Sequence, residues 1–172
     1  MAKTLLFLRD HNVESLEELR EKANASVNHL FTLSDNIKSA EVRIAEIVVL
    51  KKHIINYSKT RDVYVEYRKA GYSKKFFEEH RDVLTLRRAA KKSFDEYLAA
   101  HPNQKSLPRV KELNAEYAEI LSRKKKNYQS YRAVRKENEE WQIAKSLVAA
   151  ILQEETRQEE EQRRQQNQEK SH

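Results

Sequence analysis

Residues 16–47 read LEELREKANASVNHLFTLSDNIKSAEVRIAEI, and this stretch decides the fold class. Its apolar residues recur at alternating spacings of three and four, which is the heptad pattern of a helix that packs along one narrow stripe. The stripe positions are Leu16, Leu19, Ala23, Ser26, Leu30, Leu33, Ile37, Ala40, Ile44 and Ile47. All of them except Ser26 are apolar. The stretch therefore predicts one long helix that buries a single face.

Local signals place the ends of this first helix. Ser15 precedes the stripe and Glu18 follows three residues later, which is the capping-box pattern that starts a helix. The only glycine, Gly71, offers a left-handed stop. We therefore predict a first long helix over residues 15–71, preceded by a short N-terminal helix within residues 1–14.

A second heptad stripe lies in the C-terminal half of the chain. Its positions are Val110, Leu113, Tyr117, Ile120, Lys124, Asn127, Tyr131, Val134, Asn138, Trp141, Lys145, Val148 and Leu152. Because most of these residues are apolar, we predict a second long helix over residues 106–156. Residues 157–172 are mostly Glu, Gln and Arg, and we expect them to form a polar, frayed tail.

The segment between the two stripes, residues 72–105, carries shorter apolar patterns and predicts a tip of short helices. Two long stripes joined in this way bury most apolar surface when they fold back on each other. We predict an all-α fold, a long antiparallel coiled-coil-like helical hairpin with a short N-terminal helix and a small helical cap at the tip. With Ala70 opposite Pro108, this hairpin is expected to place Trp141 near Ile37.

The composition excludes several other classes of protein. One glycine and two prolines in 172 residues provide few turns, so a sheet fold is disfavoured. The absence of cysteine excludes disulfides and thiol catalysis and fits a reducing compartment. No apolar run approaches the length of a membrane span. We expect a soluble, cytoplasmic protein with no membrane contact.

The net charge of +7 is concentrated in the middle of the sequence. Residues 51–92 hold 13 Lys or Arg against 5 Asp or Glu. The expected register also places residues 51–53 beside residues 123–126 in a basic belt. Clustered cations attract phosphates without reading sequence, and aromatic rings such as Phe76 and Phe77 can stack on exposed bases. The candidate nucleic-acid-binding residues are Lys51, Lys52, Arg68, Lys69, Lys74, Lys75, Arg87, Arg88, Lys91, Lys92, Arg123, Lys124, Lys125 and Lys126.

A purely structural role is the alternative for each of these groups. Lysines on a helical rod usually form its solvated face, and Phe76 and Phe77 would then pack the tip. Tyrosines suit half-buried helix faces, and six of them lie in the predicted helices: Tyr57, Tyr64, Tyr67, Tyr117, Tyr128 and Tyr131. The sequence leaves both interpretations open.

No motif of a catalytic, metal or cofactor site is present. The six histidines are scattered and lack the paired spacing of a metal site. A chain with one glycine cannot form a Gly-rich phosphate loop. We therefore expect a protein that is not an enzyme and that holds no metal and no cofactor.

Several segments carry a resemblance to a known family. They are LLFLRDHN at 5–12, SLEEL at 15–19, AEIVVLKKHIINY at 45–57, KTRDVY at 59–64, YRKAGYSKKF at 67–76 and AAKK at 89–92. Together they resemble the C-terminal helical region of relaxases, the mobilization nucleases of conjugative elements of gut Firmicutes. In that family an N-terminal domain nicks DNA with a tyrosine and a histidine-bound metal. Nothing in this chain matches that catalytic domain, so the resemblance implies a non-catalytic tail alone.

The resemblance and the charge favour one function and leave two alternatives. The favoured function is an accessory domain of conjugative DNA mobilization, which would bind DNA without sequence preference or bind relaxosome and coupling proteins. The first alternative is a protein-binding helical module that receives a partner helix in the hairpin seam or inhibits a host nucleoprotein. The second is a structural strut that forms a homodimer. The sequence leaves the partner, the oligomeric state and the exact register open.

Overall fold

The computed structural model describes all of residues 1–172, and the fold is all-α, as predicted, with no strand. The helices are α1 (Ala2–Asp10), α2 (Leu16–Lys59), α3 (Arg61–Lys69), α4 (Lys74–Glu79), α5 (Arg81–Ala100) and α6 (Val110–Lys170). They form two units. Unit 1 comprises Met1–Ile37 and Lys126–His172, and unit 2 comprises Lys38–Lys125. No helix has an apolar stretch of the length and hydropathy that crossing a membrane requires.

Unit 1 has a small core to which α1, α2 and α6 all contribute. Leu19 and Ala23 of α2 are buried with Trp141 and Ala144 of α6. From α1, Phe7 packs against this cluster, and its ring meets the Trp141 indole edge-to-face with 4.7 Å between the ring centroids. The apolar face of α1 therefore completes a core that α2 and α6 leave open on one side.

A tight turn leads from α1 into α2. Asn12 adopts a left-handed conformation with φ 54°, and the Val13 N–H donates to the Leu8 carbonyl at 2.9 Å, as in a Schellman cap. Two residues later, the Ser15 hydroxyl accepts a hydrogen bond from the Glu18 N–H at 3.2 Å. The predicted serine cap is thus confirmed, although the Glu18 carboxylate accepts from the N–H of Glu14 and not from that of Ser15.

Unit 2 is a bundle in which α5 is the third core helix. Ile47 and Leu50 of α2 are buried with Ala90, Phe94 and Tyr97 of α5 and with two residues of α6. The α6 residues are Leu113 and Ile120. The segment predicted as a small cap therefore supplies a full-length helix to the core.

The helix bounds differ from the predicted ones at three points. The first long helix ends at Lys59, and the single buried residue Thr60 separates it from α3. Gly71 has the predicted left-handed conformation, with φ 67°, but it ends α3. The second long helix begins at Val110 and continues through the segment 157–172 as far as Lys170.

The expected register is wrong. Trp141 packs against Leu19 and Ala23, whereas the sequence interpretation placed it near Ile37. The error came from extending the first helix to Gly71 and treating the following segment as a short cap. Because α2 ends at Lys59 and α5 packs beside it, the residues of α6 that contact α2 are not those that the predicted register paired with it.

Candidate nucleic-acid interface

Unit 2 carries a net positive charge, and unit 1 does not. The 88 residues of unit 2 contain 21 Lys or Arg and 12 Asp or Glu, a balance of +9, whereas unit 1 contains 13 and 15, a balance of −2. A charge of one sign raises the local concentration of oppositely charged ligands around a surface. A polyanion would therefore be attracted to unit 2 and not to unit 1.

Most of the predicted binding residues are exposed cations that have no carboxylate partner. Those without an ion pair are Lys52, Arg68, Lys74, Lys75, Arg88, Lys91, Lys125 and Lys126. Lys51 is half-buried and also has no carboxylate partner. All of the exposed ones except Lys126 belong to unit 2. They can contact phosphates without first breaking an internal ion pair.

Four of the predicted residues are held by carboxylates. Lys69 pairs with Glu66 at 3.7 Å, Lys92 with Glu96 at 4.0 Å and Arg123 with Glu119 at 3.1 Å, each within one helix. Such exposed pairs contribute only about 0–1 kcal/mol, so they compete weakly with a phosphate. The fourth residue, the half-buried Lys124, pairs with a carboxylate on another helix.

The basic belt expected from the sequence does not form. The Lys124 Nζ lies 3.3 Å from the Glu41 Oε1, which joins α6 to α2. Lys51 lies ten residues beyond Glu41 on α2, which is about 15 Å along the helix axis. The cations at 51–52 and those at 123–125 are therefore separate groups, and the free cations of α3, α4 and α5 are left as the main basic surface.

An open cleft of about 360 Å³ lies beside α5 in this basic region. Its wall consists of aromatic and cationic side chains with one leucine. These residues are Tyr57, Tyr64, Tyr67, Tyr72, Leu84, Arg87, Arg88 and Lys91. We call this the tyrosine cleft. Its wall contains three cations and no carboxylate, so it carries a net positive charge.

Arg87 is the buried cation of the tyrosine cleft, with an exposed fraction of 9 %. Its guanidinium carbon lies 3.8 Å from the centroid of the Tyr57 ring and 4.5 Å from that of the Tyr64 ring. One guanidinium N–H donates to the Tyr57 carbonyl at 2.8 Å. No carboxylate lies within ion-pair distance, and a buried charge that lacks a counter-ion is costly. Two aromatic faces and the Tyr57 carbonyl stabilise the charge in place of a carboxylate.

The two phenylalanines of α4 are occupied by packing contacts. The ring of Phe76 stacks on His80 with 4.2 Å between centroids and lies 5.9 Å from the Tyr67 ring. The Arg88 guanidinium lies over Phe77 at 4.5 Å from the ring centroid. These rings therefore hold α4 against its neighbours, and among the aromatic groups only the tyrosines line the open cleft.

The burial of Arg87 was missed by the sequence analysis. The residues that α5 buries are Leu84, Arg87, Ala90, Phe94 and Tyr97, which follow the heptad spacing of three and four. Arg87 occupies an internal position of this stripe, and the sequence analysis counted it among the surface cations. A cation inside an otherwise apolar or aromatic heptad stripe is the signal that could have identified it.

A second polar cluster in unit 2 joins α2, α5 and α6. The Arg43 guanidinium donates to both Glu116 carboxylate oxygens at 2.7 and 2.9 Å, and to the Tyr97 hydroxyl at 3.1 Å. These hydrogen bonds from Arg43 hold the pKa of Glu116 below its usual value despite the opposing effect of burial. Glu46 accepts from Arg43 at 2.7 Å and lies 3.2 Å from the His101 ring. Because the charges of this cluster are paired with one another, we assign it a structural role.

The chain matches no family model, no curated protein and no solved structure. The geometry of the basic surface and of the tyrosine cleft is therefore the main basis for a functional proposal. No group of three or more metal-ligating side chains accompanies these features.

Proposed function

We propose that this chain is a non-catalytic accessory module of conjugative DNA mobilization, and that unit 2 binds DNA through its phosphates. The observation that supports this most strongly is the segregation of charge, with +9 on unit 2 and −2 on unit 1. The resemblance of several segments to the C-terminal region of relaxases supplies the biological setting. The antiparallel, coiled-coil-like hairpin predicted for α2 and α6 is part of the same proposal.

Binding of this kind is driven by the release of counter-ions from the DNA. Each phosphate that a Lys or Arg neutralises contributes about 0.9 to the slope of log affinity against log salt for a duplex. The free cations of α3 to α5 include Arg68, Lys74, Lys75, Arg88 and Lys91. None of these five side chains is buried, so they can reach the phosphates of the DNA backbone. Because phosphate contacts do not read the bases, the affinity is expected to depend on charge and not on base sequence.

Three matched substitutions on each unit test this proposal. One variant carries Arg68→Gln, Lys74→Gln and Lys75→Gln, all in unit 2, and the control carries Lys136→Gln, Arg163→Gln and Arg164→Gln, all in unit 1. Both variants lose the same charge from exposed residues that have no ion pair. We expect the unit 2 variant to flatten the salt dependence of duplex binding by up to about 3 units of slope, and the control to leave it unchanged.

Fluorescence anisotropy with a labelled duplex over a range of salt concentrations provides the slope. Equal losses of slope in both variants would mean that binding follows net charge and not the unit 2 surface. Absence of binding by the wild-type chain at low salt would remove the proposed function altogether.

A second candidate function, protein binding, is favoured by exposed apolar side chains in unit 1. On α1, Leu5 has an exposed fraction of 63 % and Leu6 of 49 %, and on α6, Ile143 has one of 55 %. Together with polar neighbours, Leu6 and Ile143 line a shallow cleft of about 300 Å³ between the two helices. Apolar patches of this kind on a surface commonly mark protein contacts. A relaxosome or coupling protein bound there would be retained at high salt and released by Leu6→Asp.

A further inference from the structure

We infer that the tyrosine cleft is a binding site for a phosphorylated nucleoside, either an unpaired residue of a DNA strand or a free nucleotide. This deepens the proposed function, because it names the chemical group that unit 2 would hold apart from the general attraction to phosphates. The buried cation of the cleft, its exposed tyrosine and its size support this inference.

The buried cation points to an anionic ligand. Arg87 is 9 % exposed, one of its guanidinium N–H groups donates to the Tyr57 carbonyl, and its other guanidinium nitrogens have no protein acceptor but reach solvent at the cleft. Arg88 and Lys91 border the same cleft, and neither has an ion pair. A phosphate has the charge and the acceptor oxygens that such a group of cations requires.

The tyrosines point to an aromatic part of the same ligand. Tyr67 lies at the centre of the aromatic group, with its ring centroid 6.4 Å from that of Tyr64 and 5.3 Å from that of Tyr72. Tyr72 has an exposed fraction of 53 % and borders the open side of the cleft. Arg87 covers a face of Tyr57 and of Tyr64, so the exposed ring of Tyr72 is the one available to stack on an unpaired base beside the cations.

The size of the cleft limits the ligand to about one nucleotide. A volume of about 360 Å³ lies at the lower end of the range of small-molecule sites, so the cleft cannot hold several bases. A base pair within a duplex would keep its faces stacked on its neighbours and could not present them to the tyrosines. The site should therefore favour single-stranded DNA over duplex DNA.

The backbone around Tyr72 provides a substitution that leaves the fold intact. Tyr72 has φ 59°, a left-handed conformation that asparagine adopts readily, and its N–H caps α3 by donating to the Tyr67 carbonyl at 3.0 Å. Tyr72→Asn thus removes one ring without removing a charge or a cap. A second variant, Arg88→Gln with Lys91→Gln, removes the exposed cations of the cleft.

The test compares these variants with a matched control in unit 2, Lys105→Gln with Lys111→Gln, whose residues are exposed, free of ion pairs and outside the cleft. Three labelled ligands are used: a short oligothymidylate, a duplex of equal length and thymidine monophosphate. We expect Tyr72→Asn to weaken oligothymidylate binding about tenfold with the same salt slope, and to leave duplex binding unchanged. Arg88→Gln with Lys91→Gln should weaken oligothymidylate binding by more than Lys105→Gln with Lys111→Gln does.

The outcomes separate this inference from the proposed function. If the wild-type chain binds both DNAs and Tyr72→Asn changes neither affinity, or lowers both equally, the cleft inference is wrong and the proposed function stands. If the wild-type chain binds neither DNA but binds the mononucleotide in a way that Tyr72→Asn weakens, the cleft inference stands and the proposed function is wrong. If the wild-type chain binds none of the three ligands, both are wrong.

Discussion

The stability of the fold alone would not predict an arginine at the buried position 87. A charge at an internal position of a heptad stripe normally has a carboxylate partner, and here aromatic faces and one carbonyl take that place. An apolar residue of similar volume is often at least as stable at a buried position as a charge. The presence of arginine at this position is therefore better explained by a ligand than by the stability of the fold.

Arg87→Met tests that explanation. Methionine fills a similar volume, and the Thr60 hydroxyl, which lies 2.8 Å from the Asn56 carbonyl and 3.1 Å from the Tyr57 carbonyl, can turn its proton toward Tyr57. We expect the free energy of unfolding, measured with urea, to change by no more than about 1 kcal/mol. A loss of several kcal/mol would show that Arg87 is needed for the fold itself.

The pair formed by Arg43 and Glu116 predicts a pH-dependent contribution to stability. Because hydrogen bonds from Arg43 lower the folded-state pKa of Glu116, this contribution is present above the unfolded pKa of a glutamate, about 4.3. It is lost as the pH falls from that value through the lower folded-state pKa. Since both side chains are partly exposed to solvent, Glu116→Gln should cost only about 1 kcal/mol at neutral pH, and this cost should decrease as the pH falls below about 4.3.

Urea unfolding of the wild type and of Glu116→Gln at several pH values measures this difference. Glu119→Gln is the control, since Glu119 lies on the same helix but forms only an exposed pair with Arg123. A cost of Glu116→Gln that stays constant between neutral and acidic pH would contradict the assignment.

At the scale of the elements, the core packing of α1 and α5 was not predicted. The sequence predicted α1 as a short N-terminal helix and placed the 20 residues of α5 within a small cap, but each of these helices contributes to a core. The long stripes of α2 and α6 could be recognised because their spacing persists over many turns. The stripe of α5 was not recognised, since Arg87 interrupts its apolar pattern. The packing position of such a helix depends on its tertiary contacts, and the local sequence periodicity does not specify those contacts.

The contribution of α1 to unit 1 can be measured through Trp141, the only tryptophan. Phe7→Ala removes the ring that packs against its indole, and we expect it to lower the free energy of unfolding of unit 1 by about 3 kcal/mol. The emission of the buried Trp141 should shift to longer wavelength as water gains access to the indole. Leu5→Ala, on the exposed face of the same helix, should change neither quantity. A normal emission spectrum in Phe7→Ala would mean that α1 does not cover the indole in solution.

At the scale of the whole molecule, the all-α class and the concentration of basic residues could be predicted from composition and periodicity. The register of α2 against α6 could not be predicted, because it depends on where α2 ends and on the packing of α5 in the core. The predicted belt of cations around Lys51 and Lys124 failed for the same reason. Eleven of the fourteen predicted cations are exposed, whereas Lys51 and Lys124 are half-buried and Arg87 is buried. The tyrosine cleft required the structure, since its residues come from separate helices.

The most direct test of the central claim is the salt dependence of DNA binding by the wild-type chain. The dissociation constant for a labelled duplex would be measured between about 50 and 200 mM salt. If about five of the free cations on unit 2 contact phosphates, log affinity should fall with log salt with a slope of about −4.5, regardless of the duplex sequence. A slope near zero, or no binding at the lowest salt concentration, would contradict the claim that unit 2 is a DNA-binding surface.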